Sequence, residues 1–323
     1  MHVISTRFLD RAFVLDLLAT DAKIKYQVEE GKWEEVKTLP NHILAAMFFE
    51  PSTRTRLSFE TAMKRLGGSV LSVTESDTTS LRKGESLQDN IKTVGQYADV
   101  IVVRHPDRNA LVEASRVSDV PLINAGNGDG EHPTQALLDL FTIQQELGTI
   151  DGLNIMFLGD LRHSRTAHSL LNLLQQFEVT AYLAYPKGLG LEDQFKWHYW
   201  SCKNKMYEDV DRFKTAHEID VFYLIRPQKE RWPAEAQEEF ENKSWKWPVE
   251  SNMLHSMKKK AVILHPLPRN EEIPEWIEED KRCAIWRQVK NGIYTRMALL
   301  PKVLQLWKNR PVKEKKKEEW PEL

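Results

Sequence analysis

Short, largely apolar runs recur along this chain: Ile43 to Phe49, Val70 to Val73, Val100 to Val103, Val120 to Ile123, Leu153 to Leu158, Thr180 to Ala184, Val221 to Ile225 and Val262 to Leu264. Runs of this kind belong to strands buried on both faces, and the segments between them are long enough for crossovers, as in a parallel sheet. The chain therefore reads as α/β. Between the runs, apolar residues return at helical spacing. Leu9, Phe13 and Leu17, with Val14 and Leu18, predict an opening amphipathic helix, and Leu57, Phe59, Ala62, Met63 and Leu66 predict one that ends at Gly67-Gly68. Pro133 suits a first helical position, followed by Ala136, Leu137, Leu140, Ile143 and Leu147 up to Gly148. Further helices are expected from about Arg165 to Phe177 and from about Gln288 to Trp307. At 323 residues the chain exceeds the size at which one core usually stops growing, so about two domains are expected. The architecture predicted is two doubly wound parallel-sheet domains, residues 1–134 with 287–323 and residues 135–286. The crossing lies in the Pro133 helix, and the C-terminal helix returns to the first domain.

Composition removes several classes of function. Forty-five Lys plus Arg against 47 Asp plus Glu leave a net charge of −2, which gives no field for attracting nucleic acid, so any anion site must be local. No apolar run approaches membrane-spanning length. Cys202 and Cys283 are far apart and outside any paired metal spacing, which fits inert buried thiols in a reducing compartment. Asp10, Arg11 and Asp16 interrupt the apolar stretch from Phe8 to Leu18 and no small-residue cleavage site follows, so a cytoplasmic location is expected. Without secretion the triplet Asn242-Lys243-Ser244 has no route to a sugar. The charged tail from Lys313 to Glu319 reads as a solvated end, and Trp232, Trp245 and Trp247 as packing or subunit-contact residues.

The polar residues cluster where strands are predicted to end. Ser52-Thr53-Arg54-Thr55-Arg56 places hydroxyls and guanidinium groups at the start of a helix, directly after a buried strand. Free N–H groups and partial positive charge make that end a phosphate cradle. Ser52 alone would suffice as a cap, which leaves its neighbours unexplained. There is no Gly-rich run ending in Gly-Lys-Ser or Gly-Lys-Thr, and Gly188-Leu189-Gly190 lacks the third glycine of a dinucleotide fingerprint. Arg104 and His105 fall at the carboxyl end of a predicted strand, where open α/β sheets bind ligands, and His132-Pro133-Thr134-Gln135 opens a helix. Asp129 and Glu131 near His132 match neither helical zinc pairs nor a calcium loop. Arg165, Arg226, Gln228 and Lys229 add polar and cationic groups at later strand ends. Several such groups facing a common cleft suggest a substrate with two or more anionic groups.

Together these motifs resemble the carbamoyltransferase family along nearly the whole chain. Ser52-Thr53-Arg54-Thr55-Arg56 is similar to the family's carbamoyl-phosphate signature, and His132-Pro133-Thr134-Gln135 to its second landmark. Both are shared with the ornithine-using members. His265-Pro266-Leu267-Pro268-Arg269, where ornithine-using members typically carry Cys at position 266, and the stretch from Arg226 to Arg231 resemble the aspartate-using members instead. The Ser-Met-Gly loop of the ornithine enzymes is not found in the second half.

The resemblance implies transfer of the carbamoyl group of carbamoyl phosphate to the amine of L-aspartate, an early step of pyrimidine (UMP) biosynthesis. No metal or other cofactor is implied. Ser52, Thr53, Arg54 and Thr55 would hold the phosphate, with Arg104 bridging phosphate and carbamoyl oxygen. Thr55, Arg104 and His132 would polarise the carbonyl, while Gln135 and the backbone carbonyls of Leu267 and Pro268 would bind the amide nitrogen. Arg165, Arg226 and Gln228 would hold aspartate. Ser80 and Lys83 would reach in from a neighbouring subunit, Lys83 serving catalysis and aspartate binding, which implies a homotrimer with shared active sites. Separate regulatory chains are possible partners. The cation-rich surroundings disfavour protonation of His132, so a hydrogen-bond donor is expected there and not a general base. Pro227 departs from the family pattern and removes an N–H from the aspartate loop.

Overall fold

The computed structural model describes residues 1–74, 84–193, 195–196, 204–232, 234–241, 251–270 and 272–310. Ser80, Lys83, Cys202, the Asn242 triplet, Trp245, Trp247 and the tail from Lys313 lie outside the described residues. The chain forms two compact units, Met1–Leu137 with Lys290–Leu323, and Leu138–Val289.

In the first unit α1 (Arg11–Glu29) precedes β1 (Ile43–Phe48), α2 (Thr53–Arg65), β2 (Ser69–Thr74), α3 (Leu87–Gly95), β3 (Val100–His105), α4 (Ala110–Val117) and β4 (Leu122–Asn127). The strands lie parallel in the order β2-β1-β3-β4. Burial explains the apolar runs. Ala45 and Met47 of β1 join Ile101 and Val103 of β3 in one cluster with Ile91 of α3 and Leu111 and Ala114 of α4. The alternate residues Leu44, Ala46, Val100 and Val102 are also fully buried, so the sheet is covered on both faces. Each large apolar side chain withdrawn from water this way contributes about 1.5–3 kcal/mol. Helix α2 stops as its glycines predict: Gly67 takes φ +87° and donates to Lys64 O, and Gly68 donates to Met63 O.

β4 runs from Leu122 to Asn127, further along than the predicted Val120 to Ile123. Pro121 has no N–H to give a ladder, and the amino terminus continues the pairing on this strand. Val3 donates to Leu122 O at 2.8 Å and accepts from Asn124 N at 2.8 Å. The polar end of the strand is satisfied locally, Asn124 Oδ1 accepting Gly126 N at 2.7 Å and its Nδ2 donating to Ile4 O at 2.9 Å. Gly128, at φ +52°, has no room for a side chain, since a Cβ would meet Pro106 O at 2.3 Å.

Helix α5 (Pro133–Leu147) runs from the first unit into the second, which continues with β5 (Asn154–Leu158), α6 (Arg165–Leu174), β6 (Thr180–Ala184), β7 (Lys205–Tyr207), β8 (Val221–Leu224), α7 (Ala234–Glu241), α8 (Ser251–Ser256) and β9 (Val262–Leu264). The order is β7-β6-β5-β8-β9, again parallel. Met156, Leu158, Phe222, Leu224 and Ile263 pack with Met253 and Leu254 of α8. Trp232 is buried with Leu189 and Ala236, the packing role expected of it, and Cys283 is a buried free thiol. The last helix, α9 (Ile285–Asn309), starts three residues before the predicted Gln288 and carries the chain back into the first unit. No helix among the described residues is long and apolar enough to cross a membrane.

Both strand orders reverse direction once, between β1 and β3 in the first unit and between β5 and β8 in the second. The carboxyl ends of strands at such a reversal leave a crevice for ligands.

Candidate active site

In the first unit the reversal brings together the ends of β1 and β3. After Phe48 the chain turns through Phe49, whose N–H donates to Arg104 O at 2.9 Å, and reaches Ser52 at the N-cap of α2. Ser52 makes no side-chain capping bond, so its hydroxyl is not consumed by the helix. Its φ of −161° and ψ of 86° set the turn that leaves the first amides of α2 exposed to a ligand. Arg54 sits in that first turn. No carboxylate among the described residues pairs with it, and burial lowers its pKa from the ordinary arginine value. A partly desolvated guanidinium beside the first amides of a helix is chemically suited to an anion.

Arg104 is held differently. Its Nε donates to Glu50 at 2.9 Å and one terminal nitrogen to Ala125 O at 3.5 Å, which orients the planar fork from behind. Thr55 is 7% exposed, and its hydroxyl meets Nε2 of His132 at 3.4 Å. His132 caps α5, its carbonyl accepting Gln135 N at 3.0 Å and Ala136 N at 3.2 Å. Nδ1 lies 3.5 Å from the Thr134 hydroxyl. The first unit therefore groups the Ser52 to Thr55 turn with Arg104, His132 and the start of the Gln135 helix. His105 serves the turn: its Nδ1 accepts Asp107 N at 3.0 Å, its ring meets Phe49 edge-on at 5.7 Å, and burial lowers its pKa.

In the second unit the reversal brings Gly159-Asp160 to the segment from Arg226 to Trp232. Asp160, fully buried, is the hub. Its Oδ2 accepts Gln228 N at 3.1 Å and Trp232 Nε1 at 2.8 Å, and its Oδ1 accepts His163 N at 3.2 Å. The Gln228 amide donates to His163 O at 2.8 Å, and Arg226 pairs with Glu230 at 2.9 Å. Pro227 is buried next to these bonds, and the N–H it lacks is not one the hub uses. Arg165 occupies the first position of α6, capped by Ser164, whose hydroxyl accepts Ala167 N at 3.3 Å.

Directly after β9 stands His265, with no exposed surface, whose Nε2 faces Glu272 Oε1 at 2.9 Å and whose Nδ1 accepts Leu267 N at 2.9 Å. That bond holds Leu267 at φ +59°, a conformation rare for a residue with a side chain, before a cis bond to Pro268. The backbone of His265 is tied in turn to Gln288 Oε1 at 2.9 Å, and Gln288 Nε2 to the buried Asp139 at 2.6 Å. Sequence reading missed Glu50, Asp160, His265 and Glu272 as supports. The one signal available was adjacency, since Glu50 stands two residues before Ser52 and Asp160 follows Gly159 at a strand end. No group of three or more His, Cys, Asp or Glu side chains among the described residues is arranged to hold a metal ion.

Residues 1–145 match the family model described as the aspartate/ornithine carbamoyltransferase carbamoyl-P binding domain, and residues 151–303 its Asp/Orn binding domain. The catalytic subunit of Methanocaldococcus jannaschii aspartate transcarbamoylase superposes with a TM-score of 0.85 at 41% identity, covering 96% of this chain and 99% of that one. The Trypanosoma cruzi aspartate transcarbamoylase, in complex with carbamoyl phosphate and aspartate, gives a TM-score of 0.85 at 35% identity, covering 93% and 95%. The multifunctional protein pyr-3 of Neurospora crassa is 43% identical over 305 residues, which is 94% of this chain but 16% of that protein.

Proposed function

The chain belongs to the aspartate/ornithine carbamoyltransferase family, and from that premise we propose that it transfers the carbamoyl group of carbamoyl phosphate to the amine of L-aspartate. The observation that carries the reading is the loop from Ser52 to Thr55, with an uncapped serine hydroxyl and an arginine that has no carboxylate partner among the described residues. Ser52, Thr53, Arg54 and Thr55 hold the phosphate. Arg104, oriented by Glu50, bridges phosphate and carbamoyl oxygen. Thr55 and His132 donate to that oxygen, and Gln135 with the carbonyls of Leu267 and Pro268 accepts from the carbamoyl nitrogen. Arg165, Arg226 and Gln228 hold the two carboxylates of aspartate, which favours aspartate over a cationic amine.

The neutral amine attacks the carbamoyl carbon and gives a tetrahedral oxyanion. Fixed donors stabilise that charge without reorganising, which is where such sites gain most of their rate. Phosphate then leaves carrying the bond electrons, and one of its oxygens accepts the amine proton. No covalent bond to the protein is required. A homotrimer, in which Ser80 and Lys83 complete a neighbour's site, and a place early in pyrimidine biosynthesis complete the proposal.

Two substitutions separate the assigned roles. Arg54→Ala is expected to lower kcat/KM for carbamoyl phosphate by about 100-fold or more, while Arg226→Ala raises KM for aspartate by roughly 10- to 100-fold and leaves phosphate inhibition unchanged. Steady-state kinetics with each substrate varied decides. Loss of phosphate inhibition in Arg226→Ala, or retention of it in Arg54→Ala, would contradict the assignment.

A further inference from the structure

Glu131 is a buried carboxylate that this mechanism does not use. It stands directly before His132 and is 7% exposed. One of its oxygens accepts the Ser5 hydroxyl. The other accepts the Thr6 amide at 2.8 Å and the Thr6 hydroxyl at 2.5 Å. Ser5 and Thr6 are each 1% exposed, so these bonds are shielded from water. The backbone of Glu131 is fixed from the opposite side: its N–H donates to Asn127 Oδ1 at 2.8 Å, and its carbonyl accepts Asn127 N at 3.2 Å.

The segment that offers these donors is itself anchored. Val3 pairs with β4, Ile4 O accepts Asn124 Nδ2 at 2.9 Å, and Nδ1 of His2 accepts Leu122 N at 3.0 Å. A carboxylate with three donors on an anchored segment has little freedom, because hydrogen bonds to a charged acceptor are about twice as strong as neutral ones. Burying such a charge costs several kcal/mol unless donors surround it. An apolar side chain would pack there without that cost, so the carboxylate is accounted for by what it grips. The next residue along is His132, whose ring lies 3.4 Å from the Thr55 hydroxyl and 3.5 Å from that of Thr134.

We propose that Glu131, clamped by Ser5 and Thr6, is a positioning residue that orients the His132 imidazole toward the carbamoyl oxygen. The proposal rests on the functional reading above, and the experiment separates the two. Ser5→Ala with Thr6→Val removes both hydroxyl donors, Glu131→Gln removes the charge at constant size, and Thr6→Ser keeps the donor. In the first two variants kcat is expected to fall about 10- to 100-fold, while inhibition by inorganic phosphate, which reports the Ser52 to Thr55 loop, stays within about twofold. Thr6→Ser retains wild-type turnover. The His132 ring signals in a nitrogen-15 NMR spectrum shift in the two weakened variants and not in Thr6→Ser.

Turnover within about twofold of wild type in both weakened variants, or phosphate affinity falling in step with kcat, would overturn the clamp. Should Glu131→Gln fail to fold, the Ser5→Ala, Thr6→Val variant, which keeps the carboxylate and the Thr6 amide, decides alone. If the wild-type protein forms no carbamoyl-aspartate, the functional reading fails and the NMR signals decide. Unchanged His132 resonances then reject the clamp, and shifted ones support it.

Discussion

Arg54 and Arg104 carry the same charge but are held in opposite ways, and the difference follows from their neighbours. Arg104 has Glu50 behind it, which fixes its direction, whereas Arg54 has no carboxylate among the described residues and keeps its full attraction for an anion. Asp21 shows the same reasoning applied to stability. It is fully buried on α1, its Oδ2 accepting the Thr295 hydroxyl of α9 at 2.9 Å, and burial raises its pKa well above the ordinary carboxyl value. Below about pH 4 this carboxyl is protonated whether the chain is folded or not. As the pH rises the unfolded chain releases its proton first, so the stabilising contribution present in acid is lost up to the raised folded value. Asp21→Asn is therefore expected to gain about 1–3 kcal/mol at neutral pH and much less near pH 4, in denaturant titrations at several pH values. An equal effect at every pH would contradict this. At this scale the sequence exposes only residues that are neighbours along it. Ser52 to Thr55 stand side by side and could be read directly, whereas the Glu131 clamp joins residues 125 and 126 positions apart and left no local pattern.

Strands were more legible than helices, because burial on both faces writes an apolar run into β1, β3, β5 and β8, while the crossover helices need only one apolar stripe. α3 and α4 carry mixed surfaces, with Asp89, Lys92, Glu113 and Arg116 among their apolar residues, and the sequence marks them only as segments of crossover length. The start of β4 differs because Pro121 is apolar but cannot donate, and its end because Asn124 and Asn127, polar residues inside the strand, satisfy their side chains against each other, Ile4 O and Arg108 O. β7 is three residues long with exposed ends, too short for any pattern. The segment carrying Ser80 and Lys83 belongs to this scale, since its proposed role is played in a neighbouring subunit. Inactive Arg54→Ala and Lys83→Ala proteins, dissociated and reassembled together, are expected to regain activity, because about one site in four then has both residues intact. No recovery after verified subunit exchange would count against shared sites.

The whole molecule repeats one plan: an open parallel sheet, one reversal of strand order, and polar groups gathered at the strand ends beside it. Predicting the plan needed only the spacing of apolar runs. The proposed preference for a dicarboxylate over a cationic amino acid rests on a few residues, Arg226, Gln228 and Pro266 among them, and the supports beside them, Asp160 bound by Gln228 N and Glu272 by His265, left no local pattern in the sequence. The most direct test of the account is product formation from carbamoyl phosphate by purified protein, without added metal or nucleotide, offered L-aspartate, L-ornithine or no amine. Carbamoyl-aspartate formed with aspartate alone is the expected result. Turnover with ornithine and silence with aspartate would contradict the assignment of Arg165, Arg226 and Gln228, and no turnover with either would contradict the proposed activity.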